Sequence, residues 1–388
     1  MGNGAKGGGG MDYNPSHYLL GCRLDNWIRL LSLCRFRILP EKRKQAWIIT
    51  LTALFLAPVA LLESAITAIP AARKKKTMED PIFILGHWRS GTSYLQNILT
   101  RDGQFSWSDP VSTDTFPYSR ILRSVLTKIH AAVLDDARPM DNLKYRIDLP
   151  IEDTFAMAAI SPLSIIHMCA LPIRYDYFVK AAFIADLSEK EHREWRRKYD
   201  YILRKFTVTQ GGRRLLLKNP DNTCRIPDLM EMYPDAQYIN IYREPYVTVK
   251  STVYMFLKQM ERLQLTPTPP TDLEELVEDT IVGIFKRMYT ELFRLQKDFR
   301  PGQYVEVRYE DFVEDPEGNI KRIYETLGLG GYEEALPAFR AYIESQKGYV
   351  KNKFEISPRL REKIDRELGF YFDHYGYPRW DGRGGEAD

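Results

Sequence analysis

The stretch from Pro81 to Thr100, PIFILGHWRSGTSYLQNILT, constrains this chain more than any other. Ile82, Phe83, Ile84 and Leu85 form an uninterrupted apolar run, the pattern of a parallel strand covered on both faces. Tyr94, Leu95, Ile98 and Leu99 then recur at helical spacing. Between them lies Gly86 to Ser93, a loop of mostly small residues with one arginine, Arg89. Such a loop feeds directly into a helix N-terminus, where amides without an intrahelical acceptor and the helix dipole attract an anion. The pattern predicts a strand-loop-helix that binds phosphate or sulfate.

The spacing Gly86-x4-Gly91-Thr92-Ser93 copies the frame of the nucleoside-triphosphate P-loop, except that Thr92 stands where that motif carries lysine. The cation of the loop comes earlier, at Arg89. A tight turn with a solvated arginine is the plainer alternative, but the strand before and the helix after favour an anion site.

The same grammar recurs downstream. Arg214 to Leu217 is a second apolar strand ending at Lys218-Asn219-Pro220, and Arg225 to Tyr233 is a helix stopped by Pro234. Gln237 to Tyr242 is a third strand, followed by Arg243-Glu244-Pro245 and a helix that carries Ser251. Gln303 to Val307 is a fourth, leading into Arg308-Tyr309-Glu310-Asp311. Repeated βα units imply an α/β fold: a P-loop-like parallel sheet of four to five strands flanked by helices, with ligands at the carboxyl ends of the strands. Lys218, Arg243 and the 86–93 loop all fall at such ends.

Elsewhere the pattern is less decisive. Asp102 to Pro150 reads as irregular, with Phe105, Trp107, Phe116 and Tyr118 among Ser, Thr, Asp and Pro. Glu152 and Asp153 open an apolar helix, so they read either as dipole partners at its N-terminus or as a general base. Ser188-x-x-Glu191 is a capping box opening a charged helix, expected as a solvated outer layer. The basic run Lys347 to Lys353 reads as a solvated turn or as a clamp over a phosphate.

The chain before the first strand has its own character. Met1 to Gly10 is glycine-rich, and Tyr18 to Leu33 has the pattern of an amphipathic helix. Ala46 to Leu62 holds no charged residue and the apolar character resumes after Glu63, between basic flanks at Lys42-Arg43-Lys44 and Arg73 to Lys76. This is near the lower length of a bilayer span. Pro58 and Glu63 weaken a straight span, and a helix lying in one leaflet with its lysines on anionic headgroups is the equal alternative; a buried helix or an oligomer contact is the plainest reading. The division expected is a disordered tail at 1–17, a helical membrane-associating extension at 18–77 and a catalytic domain at 78–380. A net charge of +3 is too small to imply nucleic acid. The four cysteines and six histidines form no cluster at metal-ligand spacing, so no metal is expected.

Taken together, these motifs resemble the sulfotransferase superfamily, closest to its membrane-associated and bacterial-type branch, over roughly Pro81 to Leu329. The 86–93 segment is similar to that family's 5′-phosphosulfate loop. Arg243-Glu244-Pro245 with Val249 and Ser251 is similar to its 3′-phosphate motif, and the runs Lys218 to Ile226 and Arg308 to Asp311 match as well. The resemblance implies 3′-phosphoadenosine 5′-phosphosulfate as donor and a hydroxyl on a carbohydrate, lipid or other small molecule as acceptor. It implies a donor site of Arg89, Ser90, Gly91, Thr92, Ser93, Arg243, Ser251, Tyr309, Lys351 and Asn352. Arg89 and Lys218 would stabilise charge in the transferred group. The histidine used by the cytosolic enzymes has no equivalent near Lys218, so Glu152 is the first candidate base and Asp153 the second. The rival readings are a P-loop kinase or NTPase and a non-catalytic membrane-bound relative. The expected placement is at a membrane with the catalytic domain in the cytoplasm, a Golgi-type lumenal placement being the alternative.

Overall fold

The computed structural model describes residues 14–74, 78–133, 149–347 and 354–379. After a short turn of 3-10 helix at Tyr18–Gly21 come α1 (Leu24–Leu33) and the long α2 (Arg43–Lys74). The first βα unit is β1 (Ile82–Leu85) and α3 (Thr92–Leu99), followed by β2 (Phe105–Ser106). Short helices α4 (Pro110–Asp114), α5 (Arg123–Val133), α6 (Thr154–Ile160), α7 (His167–Ala170) and α8 (Tyr175–Lys180) lead to α9 (Glu189–Thr209). Then β3 (Arg214–Lys218), α10 (Ile226–Met232), β4 (Gln237–Tyr242), α11 (Pro245–Leu263), α12 (Leu273–Leu295) and β5 (Tyr304–Arg308) complete the sheet. Helices α13 (Tyr309–Glu314), α14 (Pro316–Leu327), α15 (Tyr332–Ser345) and α16 (Pro358–Tyr375) follow.

The five strands are parallel in the order β2-β3-β1-β4-β5. Side-chain alternation sends Phe83, Leu85, Leu215, Leu217 and Tyr238 into one core, and Ile82, Ile84, Leu216, Ile239, Ile241, Val305 and Val307 into the other. Both faces are covered, as the unbroken apolar runs require. The chain leaves β1 towards β2 and β3 on one side, then crosses to β4 and β5 on the other. The crevice beyond the carboxyl end of β1 is therefore the topological switch point, where such sheets bind ligands.

Three expectations need correction. The stretch from Asp102 is largely ordered: it carries β2, α4 and α5, because Asp109 caps α4 through the amide of Ser112 at 2.9 Å and Phe105 seals the edge of the core. Residues 134–148 of that stretch lie outside the described residues. Helix α9 has the expected capping box but is no solvated outer layer: Trp195, Tyr199, Ile202, Leu203 and Phe206 are buried along one face. Its charges occupy the opposite face, so a composition dominated by Lys, Arg and Glu hides a strong apolar stripe.

Helix α2 continues unbroken past Pro58. The stretch Pro40–Ile69, most of it α2, is long and apolar enough to cross a membrane by length and composition. Yet the chain on either side of it belongs to one body. Ahead of it, His17 Nε2 bonds the carbonyl of Leu263 (2.9 Å), Asn26 donates to the carbonyl of Ala158 (2.8 Å) and Arg29 pairs with Glu194 (2.6 Å). Beyond it, the chain enters β1 of the same sheet. Glu63, the charge that interrupted the apolar run, is completely buried and accepts from Lys205 and from the amides of Arg120 (3.1 Å) and Ile121 (2.9 Å). It pins one face of α2 to α9 and to the turn before α5.

Candidate active site

The loop after β1 is shaped by two glycines in the left-handed region. Gly86 has φ +135°, and a Cβ there would stand 2.4 Å from the carbonyl oxygen of Ile241. Gly91, which begins α3, has φ +98°, and its Cβ would meet the Tyr309 ring at 2.3 Å. Only residues without a side chain fit either place. Arg89 also adopts a left-handed φ of 67°, a conformation that costs a side-chain-bearing residue energy and clusters at functional sites. The amides of Thr92 and Ser93, in the first turn of α3, have no carbonyl one turn back to bond to.

Two other strand ends close on this loop. Arg89 Nε donates to Ser251 Oγ at 3.0 Å, and the carbonyl of Arg89 accepts from Arg243 Nη1 at 3.2 Å. The Arg243 guanidinium lies over the Tyr309 ring, 4.3 Å from its centroid. Glu244 caps α11 through the amides of Tyr246 and Val247, so the turn that aims Arg243 is itself fixed. Ser251 sits on α11, nearly buried. Arg89, Arg243, Ser251, Tyr309 and the start of α3 thus form one electropositive group assembled from three strand ends and two helices.

Ser90 takes a different part. Its hydroxyl and its amide both bond the carbonyl of His87 (2.8 and 3.2 Å), and it is buried, so it braces the loop from within. His87 is also internal: its ring packs on Phe285 with centroids 4.6 Å apart, and burial pushes its pKa down to about 3. The imidazole is neutral and takes no part in the cavity. Lys351 and Asn352 lie outside the described residues; Lys347, where that basic run begins, is at the rim of the cavity.

At the end of β3 the nearly buried Lys218 Nζ donates to Glu152 Oε1 at 2.6 Å. Glu152 and Lys218 line the same cavity as Arg89 and Arg243, whereas Asp153 lies behind them and fully buried. Asp153 accepts from Tyr199 Oη (2.7 Å) and from Asn219 Nδ2 (2.6 Å), and Asn222 Nδ2 in turn donates to Tyr199 Oη (2.8 Å). Burial pushes the Asp153 carboxyl up to about 6, with those two hydrogen bonds acting against it. The expectation that it caps the following helix is not met: it occupies the cap position of α6 without a side-chain capping bond. Its geometry is that of a positioning residue, tying the Asn219 turn after β3 to the segment that bears Glu152. Asp221 continues the network to Thr154 Oγ1 (3.0 Å) and to Arg225 (3.4 Å), whose guanidinium packs over Trp195.

The cavity has a volume of about 960 Å³. Trp88, Phe155, Ile166, Met255 and Phe256 supply apolar lining to the same cavity. It is lined as well by parts that the sequence motifs did not single out: Tyr18 and Leu20, Ile48, Thr52 and Leu56 of α2, and Leu126 and Ile129 of α5. Positions 48, 52 and 56 recur every four residues, the one signal that α2 presents a distinct face here. Among the described residues no group of three or more His, Cys, Asp or Glu side chains is placed to hold a metal ion.

The family model described as "Sulfotransferase family" matches residues 81–334. The curated protein omega-hydroxy-beta-dihydromenaquinone-9 sulfotransferase Stf3, from Mycobacterium bovis and from Mycobacterium tuberculosis, is 29% identical over 364 residues, covering 93% of this chain and 91% of the relative. Among solved structures, sulfotransferase STF9 from Mycobacterium avium aligns with a TM-score of 0.63 at 18% identity, over 90% of this chain and 91% of that one. Sulfotransferase STF1 from Mycobacterium tuberculosis aligns with a TM-score of 0.56 at 16% identity, over 90% and 94%. At those identities the structures bear on the fold.

Proposed function

The chain belongs to the sulfotransferase family, and on that premise we propose that it moves the sulfuryl group of 3′-phosphoadenosine 5′-phosphosulfate to a hydroxyl of a largely apolar acceptor. The observation that carries the reading is the meeting of two pairs at the switch point. Arg89 and Lys218, from the ends of two strands, line one cavity together with Glu152 and Arg243, and each is held by a partner from elsewhere in the chain, Ser251 of α11 for Arg89 and Glu152 for Lys218.

The donor's 5′-phosphosulfate is assigned to the 86–93 loop, with Arg89 and the first-turn amides of α3 as donors, and its 3′-phosphate to Arg243 and Ser251. The Arg89 to Ser251 bond links the two halves, so occupation of one bears on the geometry of the other. Ser90 supports the loop instead of touching the nucleotide. Tyr309 holds Arg243 in orientation through its ring face.

In the transfer, the acceptor oxygen forms a bond to sulfur as the bond from sulfur to the nucleotide's phosphate oxygen breaks. The acceptor proton passes to Glu152. Negative charge grows on the departing phosphate oxygen, and Lys218 and Arg89 oppose it. Lys218 has a second use, since its bond to Glu152 fixes the base. Asp153, behind both, holds the frame.

For the acceptor, the wall built from Trp88, Phe155, Ile166, Met255 and Phe256 supports an apolar body. Stf3 is named for an omega-hydroxy-beta-dihydromenaquinone-9, and a hydroxyl on an apolar molecule is the class supported here too. The test is transfer of labelled sulfate from the donor to pooled apolar alcohols, with binding of adenosine 3′,5′-bisphosphate measured by calorimetry. Arg89→Ala and Arg243→Ala are each expected to weaken that binding by about 100-fold, the loss of a charge-assisted contact. Unchanged affinity in both would remove the donor site.

A further inference from the structure

Helix α2 has two faces with opposite character. One is pinned to the domain by Ala46, Ile49, Ala53, Ala60 and Glu63. The other is bare: Trp47 is 65% exposed, Phe55 82% and Leu61 67%, with Leu51, Leu54, Leu62, Ile66 and Ile69 completing the stripe. Ile121, just before α5, and Val125 and Ile129 within it add to the surface, exposed at spacings of four. A contiguous apolar surface this large marks an interaction site, whereas isolated exposed apolar residues would need no explanation.

We propose that this surface seats the protein in one leaflet of an anionic bilayer without crossing it, and that the catalytic cavity opens onto that leaflet between α2 and α5. The occupant is argued from charge and topology. Between Gln45 and Ala72 the sequence holds no charge but the buried Glu63. Basic residues border the apolar stretch instead: Arg43 and Lys44 are exposed at its start, Arg120 and Lys128 beside α5, and the sequence continues with Arg73 to Lys76. Apolar side chains framed by lysine and arginine match acyl chains framed by anionic headgroups. Crossing is excluded by the packing of residues on both sides of α2 into one body.

The opening follows from three residues. Ile129 is half exposed and lines the cavity, and Leu56 and Leu126 line it immediately inside. A largely apolar acceptor would pass from the leaflet between these side chains to Glu152 without entering water. This route rests on the sulfotransfer reading of the cavity, while the seating does not.

The seating is tested by flotation of the full chain with phosphatidylcholine vesicles, with and without about one third phosphatidylglycerol. Binding is expected with the anionic vesicles and should weaken as salt is raised. Phe55→Ser is expected to reduce it by about tenfold or more, the loss of one buried aromatic side chain. Adenosine 3′,5′-bisphosphate affinity, measured on the same samples, should stay within about threefold in that variant, which separates failure of the seating from failure of the donor site. Cysteines placed at Glu41→Cys and Glu79→Cys should both react with an impermeant maleimide from outside the vesicles; the four native cysteines are buried. A fluorophore on Ile129→Cys should be quenched by brominated lipid, and one on Arg340→Cys should not. Absence of flotation, flotation indifferent to Phe55→Ser, labelling of only one flank, or a lipid-free dimer that shields Phe55 would overturn the seating. An unquenched Ile129→Cys would overturn the route.

Discussion

Gly91 offers a sharp test of how the donor site is held together. Replacing it with alanine keeps the residue small yet conflicts with two features. The left-handed backbone at φ +98° costs a Cβ-bearing residue roughly 1–2 kcal/mol. The new Cβ would stand 2.3 Å from Tyr309 Cδ2, against an ordinary carbon contact of about 3.5–4.0 Å, so the ring must retreat by about 1 Å or more. That ring orients Arg243 at 4.3 Å. A cation over an aromatic face contributes roughly 0.5–2 kcal/mol, and a misplaced guanidinium also loses a charge-assisted hydrogen bond to phosphate worth roughly 1.5–3 kcal/mol. Gly91→Ala is therefore expected to weaken binding of adenosine 3′,5′-bisphosphate by about 2–4 kcal/mol, or roughly 30- to 800-fold by calorimetry. Because the damage passes through Tyr309, the double variant Gly91→Ala/Tyr309→Ala should bind about as well as Tyr309→Ala alone, not worse by the product of the two effects. Affinity within threefold of wild type in Gly91→Ala, or strict additivity in the double variant, would refute the chain from glycine to ring to arginine.

Three further outcomes are expected. Glu152→Gln should lower sulfate transfer by about 100- to 10,000-fold, the span of a positioned base, while nucleotide binding stays within threefold; near wild-type turnover would exclude Glu152. Lys205→Met should lower the unfolding free energy by about 3–5 kcal/mol in thermal or denaturant unfolding, since it leaves the buried Glu63 with two backbone amides and no cation; an unchanged midpoint would mean that α2 is not held by this pair. Burial holds the Asp153 carboxyl at about 6 against an ordinary 3.8, so between those values the folded state binds more protons than the unfolded one. Its contribution is therefore fully present below about pH 4 and lost as pH rises through 6, to the extent of about 3 kcal/mol. A denaturant series from pH 4 to 8 should show this slope in the wild type and not in Asp153→Asn, with equal slopes counting against it.

The strands were readable because parallel strands covered on both faces are predominantly apolar: β1 is so throughout, β3 is so between Arg214 and Lys218, and β4 is broken within by Asn240 alone. The edge strand β2, two residues long, carries no such signal, and α9 is misleading because its many charges conceal the stripe that buries Trp195 and Tyr199. Glu152 and Asp153 are adjacent and chemically alike, so spacing cannot tell them apart. Packing can: one side chain faces the cavity against Lys218, and the other turns into the buried network of Tyr199 and Asn219. Ser90 shows the same limit, since only the fold reveals that its hydroxyl bonds the carbonyl of His87 within the loop.

What the sequence by itself determined is the anion-binding logic: Gly86 and Gly91 around Arg89, a helix starting at Thr92, and basic residues after two more strands. These are local signals, written in residues that neighbour one another along the chain. What only the tertiary structure decided is which distant residues meet. Arg89 reaches Ser251 across 162 positions and Lys218 reaches Glu152 across 66. Glu63, 142 positions from Lys205, turns an apolar run long enough to cross a bilayer into one wall of the site. A buried carboxylate needs a cation and amides that composition cannot locate, and folding alone brings them to it.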